Sequence, residues 1–278
     1  MLYLVGTPIG NLSDISSRAK EVLASVDAIA CEDTRRTGLL LSEFGIHGKM
    51  ISYHEHNRTE KGKLLVSMLK AGQNIALVSD AGMPCISDPG EELVRDCADN
   101  DIPVQVVPGP VAGISALALS GLDSKRFIFE GFLPSEGKDR KVRIAELPGN
   151  RHTFILYEAP HRLIRTLEDL SEAGLGERKI AVCRELTKKY EEVLRLTVDG
   201  ALAHFRSVPP RGEFVLVVEG KGMDASAPAK EWTEDEKNER ITFLLNEGYS
   251  TKDISLILSK EWNESKKTVY AYVIKMIK

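Results

Sequence analysis

Two carboxylates and two guanidinium groups fall within one turn of each other in CEDTRRT (residues 31–37), as Glu32, Asp33, Arg35 and Arg36. Arginine binds phosphate through paired N–H groups, and a neighbouring carboxylate can orient a hydroxyl or take its proton. A helix start, with Asp33 or Thr34 as N-cap and the charges in water, accounts for the same residues. SYHEHN (52–57) adds His54 and His56, two positions apart, followed by Asn57. No third ligand stands at recognisable spacing, so no metal site is predicted. His54 is a candidate base or RNA contact, and equally a solvated loop histidine.

The longest informative stretch is VSDAGMPCISDPGEEL (78–93). Asp80 closes an apolar run, and the small residues Ala81 and Gly82 after it let a flat ligand approach the backbone. Ser87 or Asp88 is predicted to cap a helix with Pro89 at its first position. In RELTKKYEE (184–192), Lys188 and Lys189 either decorate a strand edge or face an RNA backbone. The turn GTPIGN (6–11) lacks the three-glycine spacing of a dinucleotide-binding fingerprint, and no GxxxxGK[ST] phosphate loop occurs.

These residues sit at the ends of short apolar runs, LYLV (2–5), AIAC (28–31), MISY (50–53), IALVS (75–79) and VQVV (104–107), with helical segments between them. Such alternation predicts a parallel sheet covered on both faces, for example by the segment 59–71 with Leu64, Leu65, Met68 and Leu69. VPGPVAG (107–113) breaks the pattern before the apolar helix ISALALSG, and the first domain is placed at 1–112. FIFEGF, TFILYE, KIAVCR, YEEVLRL and EFVLVVEG are strand candidates of a second α/β domain, 113–221, with helices near 160–173 and 199–206. YEEVLRL follows KIAVCREL too closely for a crossover helix, so this sheet is expected to be mixed. A polar linker at 222–231 leads to a three-helix domain, 232–278, of helix-turn-helix character. Thr233 with Glu236, Ser250 with Asp253, and Ser265 are its predicted caps, and Gly248 its first stop.

Hydrophobic residues at 42% and charged residues at 28% are those of an ordinary globular protein. The net charge of -4 means that contact with nucleic acid must come from local basic patches. Four cysteines without paired spacing predict neither a zinc site nor disulfides. No apolar run is long enough for a signal peptide or a membrane span, so the cytoplasm is the expected location.

Taken in order, LYLVGTPIGNLSDIS, CEDTRRT, SYHEHN, VSDAGMPCISDPG, VPGPVAGISALALSG, FEGFLP, YEAPHRL, RELTKKYEE and GEFVLVVEG resemble the phrases of the ribosomal RNA small subunit methyltransferase I family, within the tetrapyrrole-methylase-like group. They span roughly residues 2–220. The resemblance implies two α/β domains of the tetrapyrrole methylase type, with S-adenosylmethionine in the cleft between them, and usually a homodimer. It implies 2′-O-methylation of the ribose of a cytidine in the decoding region of 16S rRNA, within the small ribosomal subunit. Cofactor contacts are then expected at Pro8, Asp80, Ala81, Gly82, Met83, Val111, Ala112, Tyr157, Glu158, Leu186, Glu213 and Phe214. Glu32, Asp33 or His54 would assist the hydroxyl, and Arg35, Arg36, Asn57, Lys188 and Lys189 would hold RNA. The chain departs from many relatives at Gly6 (alanine there), at Met83-Pro84-Cys85 (Thr-Pro-Leu) and at Leu196 (glycine). Two rival readings fit the same residues less well: a methyltransferase of corrin or porphyrin precursors, which gives no use to CEDTRRT or SYHEHN, and a ligand-sensing regulator that binds nucleic acid through its C-terminal helices.

Overall fold

A computed structural model of the chain describes residues 1–222, 232–262 and 264–277. The first sheet consists of β1 (Leu2–Val5), β2 (Ala28–Cys31), β3 (Met50–Ser52), β4 (Ile75–Val78) and β5 (Val104–Val107), in the order β3-β2-β4-β1-β5. Every pair is parallel, as the alternation predicts. β2 and β4 are buried along their whole length, and successive residues feed opposite layers. Ala28 and Ala30 meet Leu65 and Leu69 of α3 (Arg58–Lys70) and Leu93 of α4 (Glu91–Asp99). Ile29 and Cys31 meet Leu23 of α1 (Ser17–Ser25) and Leu41 of α2 (Thr34–Glu43).

The start of α4 differs from the sequence expectation. Neither Ser87 nor Asp88 caps it, and Pro89 lies outside it. The helix begins at Glu91 after Gly90, whose φ is 140°. A Cβ at Gly90 would stand 2.7 Å from both Cys85 Sγ and Leu77 Cδ2. The chain folds Cys85 down onto β4 before it turns into the helix, and that fold delays the helix start.

The second sheet holds β6 (Phe127–Phe132), β7 (Thr153–Glu158), β8 (Lys179–Arg184), β9 (Glu192–Thr197) and β10 (Phe214–Val218), in the order β6-β7-β10-β8-β9. It is mixed: β6 and β7 are parallel, and the other three pairs are antiparallel. α5 (Ala112–Ser120) covers one face through Ala116 and Leu117. α7 (Pro160–Leu170) and α8 (Val198–Ser207) cover the other through Leu163, Leu167, Leu202 and Phe205. α6 (Gly137–Glu146), which apolar periodicity does not reveal, follows β6.

The chain divides into two units, 1–222 and 223–278. Of the expected linker, 222–231, all but Gly222 lies outside the described residues. The second unit holds α9 (Glu234–Asn246), α10 (Thr251–Glu261) and α11 (Lys266–Ile277) around Ile241, Leu244, Ile254, Leu258, Trp262, Val269 and Val273. The predicted caps form: Thr233 and Glu236 make a reciprocal capping box, and Ser250 and Ser265 accept from the amides of Asp253 and Thr268. Both tryptophans of the chain, Trp232 and Trp262, lie in this unit. Tryptophan fluorescence therefore follows its unfolding alone. Thr233→Ala is expected to lower its stability by about 1 kcal/mol, read as an earlier fluorescence midpoint in urea; an unchanged midpoint would show that the cap contributes nothing.

Candidate active site

The loops at the carboxyl ends of the first sheet are tied to one another. Thr7, fully buried after β1, exchanges backbone hydrogen bonds with Gly82 after β4 (2.8 and 3.1 Å), and its hydroxyl lies 3.3 Å from the Ser79 carbonyl. Gly6 and Gly109 touch back to back: a Cβ on Gly6 would meet the Gly109 backbone at 2.6 Å and Met83 Sδ at 2.7 Å. Gly6 and Met83 are thus neighbours, and the absence of a side chain at Gly6 makes room for the methionine sulfur.

These loops face the second sheet across a cleft of about 430 Å³. The first sheet contributes Ile9, Glu32, Arg36, Asp80–Met83 and Ile86–Asp88, followed by Val111 and Ala112. The second contributes Phe132, Tyr157–Pro160, Cys183, Leu186 and Glu213–Val215. Five non-glycine residues among those described have positive φ, and four of them flank cleft residues: Cys85 and Ser87 around Ile86, Glu185 and Thr187 around Leu186. Each such conformation costs about 1–2 kcal/mol, a strain that tertiary packing must hold and that gathers at functional sites. A second cavity of about 400 Å³ adjoins the first through shared residues Glu32, Ser87 and Asp88, and is lined further by Tyr53, Arg58, Glu91 and Arg95.

Eleven of the twelve expected cofactor residues line the cleft; Pro8 does not, and its neighbour Ile9 does. Tyr157 stacks edge-on against Phe129 and Phe132, and its hydroxyl accepts the Gly113 amide at 2.9 Å, fixing the start of α5. Glu158 is 3% exposed, and its oxygens are occupied by the Ala159 amide (2.9 Å), Arg162 (3.3 Å) and the Thr166 hydroxyl (2.5 Å). Cys183 is pushed up to about 11 by burial, so its thiol stays neutral at pH 7.

The acidic candidates separate by their partners. Asp33 caps α2 by accepting the Arg35 amide at 2.8 Å, and pairs with the Arg35 guanidinium at 2.7 Å. The side-chain and backbone hydrogen bonds from Arg35 hold its carboxyl well below the usual carboxylate range. Asp80 accepts the Asp33 amide (3.2 Å) and Arg36 (3.1 Å). Glu32 and Asp88 make no side-chain hydrogen bond or ion pair among the described residues. Burial raises the Glu32 pKa, Asp80 adds to this, and Arg36 and His54 oppose it. Burial, then the carboxylates of Glu32 and Asp80, push Asp88 up to about 7. Sequence reasoning passed over Asp88 because SDPG reads as a helix start.

Of the remaining candidates Arg36 lines the cleft, and Arg35, His54, Asn57, Lys188 and Lys189 do not. Asn57 accepts the His54 amide at 2.9 Å, donates to the Ser52 carbonyl at 3.1 Å, and stands 3.2 Å from His54 Nε2, so it builds the turn before α3. Lys188 bridges Glu185 (2.9 Å) and Glu213 (2.8 Å), closing the β8–β9 loop onto β10. Lys189 is exposed and stands over the Tyr190 ring. The Arg35 and Arg36 side chains are 89% and 71% exposed despite their ion pairs, which leaves them open to an incoming anion.

Residues 1–201 match the family described as Tetrapyrrole (Corrin/Porphyrin) Methylases. The chain is 46% identical over 270 residues to ribosomal RNA small subunit methyltransferase I of Synechocystis sp., covering 97% of this chain and 96% of that one. To the protein of the same name from Bacillus subtilis it is 44% identical, covering 99% and 94%. The chain belongs to the ribosomal RNA small subunit methyltransferase I family. Among solved structures, diphthine synthase shares the fold with a TM-score of 0.64 at 15% identity, covering 79% of this chain and 90% of that one. Uroporphyrin-III C-methyltransferase from Thermus thermophilus, complexed with S-adenosyl homocysteine, does so at 0.54 and 19%, covering 78% and 96%.

As a member of this methyltransferase family, the chain uses S-adenosylmethionine as its cofactor. The cleft suits that molecule. Ile9, Val111, Ala112, Leu186, Phe214 and Val215 offer an apolar wall for a flat heterocycle, and Glu32, Asp80 and Asp88 offer negative charge to a sulfonium and an ammonium.

Proposed function

We propose that this chain methylates the ribose 2′-oxygen of a cytidine in the decoding region of 16S rRNA, within the small ribosomal subunit, as a cytoplasmic homodimer. The observation that carries this reading is the 46% identity to a ribosomal RNA small subunit methyltransferase I over nearly the full length of both chains. The cleft supports it, because a donor site walled by two sheets opens on one side to a second cavity that shares its carboxylates.

Bound S-adenosylmethionine supplies an electrophilic methyl group on a sulfonium. The chain's own part is to position and to remove a proton. The backbone and side chains of Asp80–Met83, Val111, Ala112, Tyr157, Leu186, Glu213 and Phe214 hold the donor, and Pro8 and Glu158 stiffen the walls behind it. Arg35, Arg36 and Lys189 take flanking phosphates, while Lys188 and Asn57 shape the loops that present them.

The test is to incubate the full chain and methyl-labelled donor with small subunits from cells that lack the modification, then map the label. A single 2′-O-methylated cytidine in the decoding region is expected. Label on a base or at another nucleotide, or transfer to a tetrapyrrole precursor with none to the subunits, would overturn the assignment.

A further inference from the structure

We propose that Asp88 is the catalytic base, the group that receives the proton of the attacking ribose hydroxyl. The inference rests on the ribose-methylating function proposed above. In the step it assists, the 2′-oxygen bonds to the methyl carbon while the carbon–sulfur bond breaks and its electron pair passes to sulfur. The hydroxyl proton passes to the Asp88 carboxylate and from there to solvent.

Elimination among the groups near the reaction cleft leads to it. Asp33 is committed to the α2 cap and to Arg35, and it lines neither cavity. His54 lines neither cavity, and its Nε2 is held by Asn57. Asp80 is occupied by the Asp33 amide and Arg36. Glu32 and Asp88 remain, and both line the donor cleft and the cavity that adjoins it.

Their surroundings distinguish the two. Glu32, whose pKa burial and Asp80 also raise, has the Arg36 guanidinium among its neighbours, which opposes that rise. Asp88 is faced by Glu32 after β2, Asp80 after β4, Cys85 on its own loop and Tyr157 on β7. Arg58 and Arg95, across the second cavity, are taken by Glu92 (3.2 Å) and Glu91 (2.5 Å). No cation is paired with Asp88 among the described residues, so burial and two carboxylates raise its pKa to about 7. A base whose pKa lies near the working pH combines availability with proton-accepting strength. Ser87, held at φ 62° beside Asp88, packs near Gly131 of the second domain, where a Cβ would come within 3.1 Å of its hydroxyl. The loop that carries the carboxylate thus reaches β6 across the cleft.

Three measurements on the full chain test this. Single-turnover transfer to unmodified small subunits is expected to rise with pH and level off above about 7 in the unsubstituted protein. Asp88→Asn is expected to lower the rate 10²- to 10⁴-fold, on the order of a lost general base, and to flatten the profile. Glu32→Gln keeps the rise but moves its midpoint to lower pH, since the Glu32 carboxylate is one of the charges that raise Asp88. Carbon-13 NMR of aspartate carboxyls, recorded without donor or RNA, is expected to show one group titrating near 7 that Asp88→Asn removes.

Thermal stability gives the third readout. A carboxyl raised from the ordinary value of about 4 to about 7 keeps its proton in the folded chain where the unfolded chain has lost it. Its ionisation then costs stability as pH rises through that window. Asp88→Asn should melt above the unsubstituted protein at pH 8, with the gap narrowing toward pH 4. This also shows that the variant is folded.

An Asp88→Asn protein that keeps the rate and the rise, or a Glu32→Gln protein that loses the rise instead, overturns the assignment to Asp88. If the unsubstituted protein transfers no methyl group to small subunits, the ribose reading fails and the assignment with it. The NMR titration, which needs no RNA, then tells that failure from a wrong choice of carboxylate.

Discussion

Arg140→Ala is expected to lower the unfolding free energy of residues 1–222 by about 3–5 kcal/mol, the cost of breaking a buried, hydrogen-bonded ion pair. The Arg140 side chain is 3% exposed although it belongs to the surface helix α6. Its guanidinium donates to Asp169 (2.6 and 2.8 Å), to the Thr166 hydroxyl (2.9 Å) and to the Pro134 carbonyl (2.9 Å). The Thr166 hydroxyl donates in turn to Glu158, and Arg162 donates to the Leu133 carbonyl at 2.6 Å. One polar network thus fastens α6, α7 and the turn after β6, which holds Phe132 at the cleft wall. Truncation leaves the half-buried Asp169 carboxylate without its guanidinium and takes one of two partners from the buried Thr166 hydroxyl, in a setting where an unmet buried group costs about 1–3 kcal/mol. Lysine should not rescue it, since a point charge cannot serve three acceptors arranged around a planar fork. Urea unfolding followed by far-UV circular dichroism is the suitable measurement, because both tryptophans report on the other unit. A loss below about 1 kcal/mol would mean that the pair behaves as an exposed one.

The same network shows where sequence reading stops. AIAC coincides with β2 because a strand buried on both faces must be a continuous apolar run, and LYLV and VQVV coincide with β1 and the edge strand β5, where Gln105 and Val106 are exposed. The tight spacing of KIAVCR and YEEVLRL correctly gave the antiparallel β8–β9 pair, since no crossover fits. GKDRKVRIAE offers no apolar stripe; the one residue it buries fully is an arginine whose partners lie up to 29 positions away. Lys188 resembled an RNA-facing cation because Glu213, 25 residues on, is invisible in the local pattern. The cleft loops were legible as a set of phrases, and eleven of twelve expected donor contacts meet in one cavity. The acid–base group was not legible, because the Asp88 environment is assembled from residues 32, 80 and 157 on separate strands.

Gly90→Ala joins both themes and is the second large effect expected. At φ 140° an L-residue is strained by about 1–3 kcal/mol, and the new methyl group would lie 2.7 Å from Cys85 Sγ and Leu77 Cδ2. Leu77 is 1% exposed in the centre of the first sheet, so it cannot yield, and overpacking there costs about 1–3 kcal/mol more. Relief comes most easily from moving the Cys85–Gly90 segment, because Ile86 and Ser87 in it are exposed. That segment carries Asp88 into the cleft, and displacement of a reacting group by about 1 Å is enough to cost 10²-fold in rate. The variant should therefore lose both stability and kcat, with donor affinity reduced less, since Val111, Ala112, Tyr157, Leu186, Glu213 and Phe214 of the donor wall lie outside that segment. Equilibrium binding of labelled donor beside single-turnover transfer separates the two. If binding falls as far as the rate, the loop holds the donor itself rather than the group that works on the acceptor.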